Sequence, residues 1–240
     1  MTDEKFERYL ESKTLPTPEP PITAFITNLG KYAEGDLVGE WLALPTTPHK
    51  AQDVLNRIGV DGVKYEEYIF TAYNTPIDGL QPHLPELAGL DELNYLATLI
   101  DEMDEWQIQV FDAAAEHGEY CGNAADLINL AQNLEKYELC PSVHSEEDLG
   151  YFLVDDVGSI EIPDHIAGYF NYEAYGRDMM INENGTLTKN GYFRDTKADF
   201  VEYYSGDVPE EYRVFTLPDK TATKNPAGKD KSKPDQAQER

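Results

Sequence analysis

Positive charge is what the middle of this chain lacks. Between Lys64 and Arg177 lie 112 residues with 24 Asp or Glu and one basic side chain, Lys136, so this stretch holds 23 of the 27 net negative charges. Like charges repel in a compact state, and a surface of mixed sign avoids that cost. The excess therefore needs a reason outside folding. Phosphate repels such a surface, which disfavours direct binding to DNA, RNA or anionic lipid, so the natural partners are basic. Cysteine is scarce too: Cys121 and Cys140 are too few for a disulfide scaffold and fit a reducing compartment. No apolar run approaches the roughly 20 residues of a membrane span, and the N-terminus, with Glu4, Glu7 and Glu11, has no signal-peptide core. The chain reads as cytoplasmic.

Catalytic signatures are also missing. His49, His83, His117, His144 and His165 are scattered, and there is no G-x-S-x-G, Gly-rich phosphate loop or H-E-x-x-H. His117-x3-Cys121 and Cys140-x3-His144 offer zinc-type ligands, but Gly118, Gly122 and Pro141 interrupt the helices that this spacing needs. Asp155-Asp156 and Glu146-Glu147-Asp148 lack calcium-loop spacing. Neither an enzyme nor a metal or other cofactor is expected.

What is present is enough apolar material for a real core, 40% hydrophobic and 11% aromatic over 240 residues. Residues 1–21 read as an extension, a short amphipathic helix around Phe6, Tyr9 and Leu10 followed by the stiff spacer LPTPEPP. An N-terminal α+β domain is expected over 22–78. Its strands are ITAFITNL, GEWLALP and YEEYIFTAY, and its helix starts at Thr47-Pro48 and stops at Gly59. A mainly helical acidic domain follows over 79–121. A C-terminal α+β domain occupies 122–216, with a helix from Asn123 to about Tyr137, another starting at Ser145, and strand material in TLTKNGYF around an Asn190-Gly191 turn. The Lys-rich stretch 217–240 has the composition of a disordered tail.

At 100° per residue, Leu96, Leu99, Ile100, Met103, Trp106, Val110 and Ala114 fall on one side of the 90–117 segment, while Asp101, Glu102, Glu105, Asp112 and Glu116 fall on the other. That projection assumes one unbroken helix, whereas Asp104-x-x-Gln107 has the form of a capping box and would split it. Further along, Glu119, Asp126, Glu146, Glu147, Asp148, Asp155, Asp156, Glu161, Asp164 and Glu173 extend the acidic run. Duplex DNA carries one charge per ~1.7 Å of axis, so 23 unpaired carboxylates match roughly 40 Å of duplex. Salt adaptation would acidify the whole surface, yet residues 1–64 hold 10 acids against 7 bases. The asymmetry favours a partner.

The segment ITAFITNLGKYAEGDLVGEWLALP resembles the opening of the ArdA antirestriction proteins, with N-L-G-K-Y followed by G-x-L-V-G-x-W. YEEYIFTAY and LDELNYL are similar to the family's next landmarks, and Leu153 to Met179, ending in Y-x-A-Y-G-R-D, resembles its antirestriction motif. The resemblance implies an elongated chain of three small α+β domains that forms a homodimer and mimics bent duplex DNA. It implies occupation of the DNA-binding groove of type I restriction-modification enzymes and carriage on mobile genetic elements. The acids from Asp101 to Glu173 named above become candidate partner contacts. Leu153, Val154, Tyr172, Tyr175, Arg177 and Asp178 become candidates for dimer contacts. An acidic module for another basic, nucleic-acid-binding partner is the alternative reading.

Overall fold

The computed structural model describes residues 19–216. The expected N-terminal helix, most of the proline spacer and the Lys-rich tail lie outside the described residues. The chain is mixed α+β, with two small antiparallel sheets and helices between and around them.

Strand β1 (Ile22–Asn28) is buried at every position because it is central. Strand β2 (Gly39–Leu44) pairs with it antiparallel on one edge and β3 (Tyr68–Asn74) on the other, giving the order β2-β1-β3. At Gly39 a Cβ would stand 2.4 Å from the Phe25 ring, so only glycine lets β2 begin this close to β1. Helix α1 (Leu29–Ala33) follows β1, and α2 (Pro48–Ile58) starts and stops as the sequence predicts. Thr47 Oγ1 accepts from the Lys50 amide, Pro48 takes the first turn, and Gly59 ends the helix at φ 80°. Its face of Ala51, Val54, Leu55 and Ile58 is buried in the main core.

The central segment is two helices, α3 (Leu90–Asp101) and α4 (Glu105–His117). The capping box decides this: Asp104 accepts from the Gln107 amide at 2.8 Å, and the Gln107 side chain accepts from the Asp104 amide at 3.0 Å. The break corrects the continuous projection. Trp106, placed with the packing residues by that projection, is 48% exposed, whereas Val110, Phe111 and Ala114 are buried.

Helix α5 (Ala124–Ala131) has Asn123 as its cap but ends well before Tyr137. The chain makes a short 3₁₀ turn over Leu134–Lys136, where the sequence reading continued the helix to about Tyr137, and enters strand β4 (Tyr137–Cys140), which that reading did not identify. Its partner β6 (Gly191–Asp195) is more than 50 residues away, and that pairing is invisible to local periodicity. Strand β5 (Thr186–Thr188) pairs with β6 through the two-residue loop Lys189-Asn190, one position earlier than the expected turn, with Gly191 at φ 122°. Helix α6 (Glu146–Tyr151), capped by Ser145, runs into a π-helical turn over Phe152–Asp156. Helix α7 (Asp164–Ala167) and α8 (Tyr172–Glu183) complete the C-terminal part, and α8 packs on α6.

One large apolar core runs from Ile22 to Val214 and crosses the expected domain boundaries near residues 79 and 121 without interruption. A smaller core of Cys140, Val143, Leu149, Leu153 and Tyr192 lies under α6 and α8. Among the described residues no helix is long and apolar enough to cross a membrane.

Candidate partner-binding surface

The junction of α3 and α4 concentrates acid on a short arc of chain. Asp101, Glu102, Asp104 and Glu105 are all exposed. Asp104 and Glu105 sit at the positive N-terminus of α4, where a carboxylate is favoured, but Asp101 and Glu102 sit at the negative end of α3, where each costs about 0.3–1 kcal/mol. The last turn of α3 has no basic residue to offset that cost. Asp104, which caps α4, was absent from the predicted contact residues. Its position between Glu102 and Glu105 was the available signal.

The linear charge count is corrected by pairing across the fold. Asp112, expected on the outer stripe, is 6% exposed, accepts from the Gly79 amide and Asn190 Nδ2 at 2.8 Å each, and ion-pairs with Lys189 at 3.1 Å. Helix α4 buries that position because Gly79 packs against its backbone, with no room for a Cβ. Asp78 also pairs with Lys189, and Glu138 with Arg194, so two bases downstream of the acidic stretch engage three of its 24 acids. Lys136 is turned to Asp195 at 2.7 Å.

Twelve of the fifteen predicted contact acids are exposed: Asp101, Glu102, Glu105, Glu116, Glu119, Glu147, Asp148, Asp155, Asp156, Glu161, Asp164 and Glu173. Asp126 and Glu146 are half-buried. Asp126 accepts from the Gly122 amide and from Asn123, which fastens the start of α5. Glu119 is 3.7 Å from His117 Nε2, and among the described residues none of the twelve ion-pairs with a Lys or Arg. A hydrogen bond from Ser145 and the His144 amide hold the Asp148 carboxyl below the usual range.

The segment 153–178 divides by role. Leu153 is buried in the chain's own small core, and Val154 is buried beside it, at the wall of an open cleft. Asp155, Glu161 and Asp164 meet Tyr172 in an open cleft of about 470 Å³. Tyr172 stacks on Tyr151 at 4.0 Å, and Tyr175 Oη is 2.9 Å from Ser159 Oγ. Arg177 and Asp178 are exposed and 3.8 Å apart. Sequence reasoning missed the exposed apolar side chains of this part, Val157, Ile166, Tyr169 and Ile181, because exposure is a tertiary property.

The residues of the zinc-like spacing serve other contacts. His117 Nδ1 is 2.8 Å from Thr186 Oγ1, and Cys121 Sγ donates to the Glu119 carbonyl. Burial pushes the Cys121 thiol up to about 12, which opposes the thiolate a metal needs. Among the described residues, no three His, Cys, Asp or Glu side chains are grouped to hold an ion.

The family model of the antirestriction protein ArdA matches residues 24–194. The chain belongs to the ArdA family. Membership implies an antirestriction function, the inhibition of restriction enzymes. The match begins within β1 and ends within β6, so it takes in both sheets, the acidic α3–α4 junction and the motif segment. No curated protein matches the chain. Residues 195–216 fall beyond the family match.

Proposed function

We propose that this ArdA-family protein inhibits type I restriction-modification enzymes by occupying their DNA-binding groove as a mimic of bent duplex DNA. The observation that carries the reading is the set of twelve exposed acids, from Asp101 to Glu173, without a Lys or Arg partner among the described residues. A groove lined with cations offers them what the chain itself withholds. Many of the carboxylates stand on or beside helices packed on the two apolar cores, so less ordering entropy is lost on docking than with a mobile acidic segment.

The same reading includes a homodimer that doubles the charged array, formed through the exposed apolar side chains Val157, Ile166, Tyr169 and Ile181. Leu153 and Val154, already packed inside, would contribute only by supporting that surface.

The test is competition on a purified type I methyltransferase core. Labelled duplex should be displaced stoichiometrically, and the inhibition should weaken steeply with salt, because exposed charge is screened over about 8–10 Å near physiological ionic strength. Simultaneous binding of duplex and protein, or affinity indifferent to salt, refutes the mechanism.

A further inference from the structure

Past the family match, residues 196–216 cross α3 and α5 as an extended strap, with no regular structure besides a 3₁₀ turn over Glu210–Tyr212. Side chains of the two helices, and of Asn133 just past the end of α5, hold its backbone. Asn129 Nδ2 donates to the Tyr204 carbonyl at 2.8 Å, and its Oδ1 accepts from the Tyr204 amide at 2.9 Å. Asn133 makes the same two-way contact with Val201, at 2.9 Å in each direction. From α3, Asn94 donates to the Tyr212 carbonyl, and Asp91 accepts from the amides of Val214 and Phe215. Tyr212 and Tyr204 pack on Tyr95, while Val208 and Val214 are buried. At the near end, Thr196 bonds to the Lys136 carbonyl, and Lys136 Nζ donates to that of Ala198.

Asn129 stands inside α5, where asparagine is poorly suited, and Asn133 lies just past its C-cap; burying both, 4% and 1% exposed, is costly unless every polar atom is used. Here each side-chain amide takes both the N–H and the C=O of one strap residue. A single residue of α5 thereby holds a backbone that is fastened to α3 ten or so residues later, so the strap ties the two helices together. The acids at the end of α3 and Asp126 at the start of α5 are carried on these same two helices.

We infer that Asn129 and Asn133 are positioning residues of the acidic surface: through the strap they set the placement of α3 relative to α5, and with it the register of carboxylates offered to the partner. The inference rests on the proposed competition with DNA. It adds a clamp whose strap lies outside the family-matched span, while the side chains that grip it lie inside.

The experiment compares wild type with Asn129→Ala/Asn133→Ala in the full chain, a change that leaves the net charge untouched. Hydrogen exchange at Val201 and Tyr204, thermal melting and competition against duplex are followed together across a salt series. Expected are lost protection at both amides, a cooperative melt at lower temperature, affinity weaker on the order of tenfold, and a shallower salt dependence because fewer carboxylates engage at once. A clamp of purely structural use would lower the melting temperature while affinity and salt slope of the folded protein stayed the same, and that result overturns the inference. So does retained protection at Val201 and Tyr204. Val201→Pro, which removes the donor to Asn133 from an exposed strap position, serves where the double variant does not fold. Failure of wild type to displace duplex would defeat the proposed function itself, and is read from a separate sample.

Discussion

Gly150 of α6 and Gly176 of α8 meet backbone to backbone. A Cβ on Gly176 would stand 2.7 Å from the Gly150 amide nitrogen and 1.9 Å from the Glu146 carbonyl oxygen, and one on Gly150 would stand 2.0 Å from the Tyr172 carbonyl oxygen. The glycine of the Y-x-A-Y-G-R-D ending is therefore a packing requirement, placed where the two helices touch. Gly176→Ala should cost about 1–3 kcal/mol, the usual price of overpacking, or more where backbone cannot retreat. At ~2–4 °C per kcal/mol for a chain of this size, differential scanning calorimetry resolves it. A melting temperature equal to wild type would show that α6 and α8 do not cross this closely.

Two acids of the same stretch should respond in opposite ways to neutralisation. Asp112→Ala strands the buried Gly79 amide, takes a partner from Asn190 and leaves Lys189 only Asp78, and should destabilise by about 1–3 kcal/mol. Asp101→Asn removes a charge from the unfavourable end of α3 and should leave stability equal or raised by a few tenths of a kcal/mol. Urea denaturation of the two variants checks this, and equal losses would contradict the buried and exposed placements.

Acid should release the contact between Asp195 and Lys136. Burial pushes the Asp195 carboxyl up, but the Lys136 ammonium and the Lys197 amide outweigh it and leave the group below its ordinary 3.8. A depressed folded pKa means that the stability it contributes is full above the unfolded value and is lost as pH falls through the folded one. In Asp195→Asn the decline of stability below about pH 4 should therefore be less steep than in wild type. Parallel curves would sink the assignment.

Both thiols should be silent in the folded protein. Cys121 and Cys140 are buried, and burial pushes both thiols up, Cys121 to about 12. A thiol-reactive chromogen at about pH 8 should react with neither until denaturant is added, since the thiolate is the nucleophile. Rapid reaction without denaturant would show these sites to be open.

Trp106 and Trp41 should separate in fluorescence. Trp106 is exposed, whereas Trp41 lies edge-on to Phe25 at 5.1 Å with its indole nitrogen buried. Trp106→Phe should abolish most acrylamide quenching and leave the melting temperature within about 1–2 °C of wild type, as for an exposed site. Persistent quenching would mean that Trp41 is the accessible ring.

Much of the local structure was legible because its causes are local. Thr47, Asn123 and Ser145 each cap the helix they were expected to start, and Asp104 and Gln107 close the box that splits α3 from α4. Strand β4 and the strap were not legible, since one is decided by a partner at Gly191–Asp195 and the other by asparagines 68 and 75 positions away. Trp106 was misplaced for a related reason: once the helix breaks, the angular phase on either side is no longer shared.

The sequence by itself determined the sign, amount and location along the chain of the charge, and the family, because these depend on residue identity and short-range spacing. Only the tertiary structure decided which acids are available to a partner. Asp112 and Glu138 are taken by Lys189 and Arg194, and Asp101 and Glu102 are left facing water. Ion pairing and burial depend on which distant segments the core brings together, and no linear count contains that information.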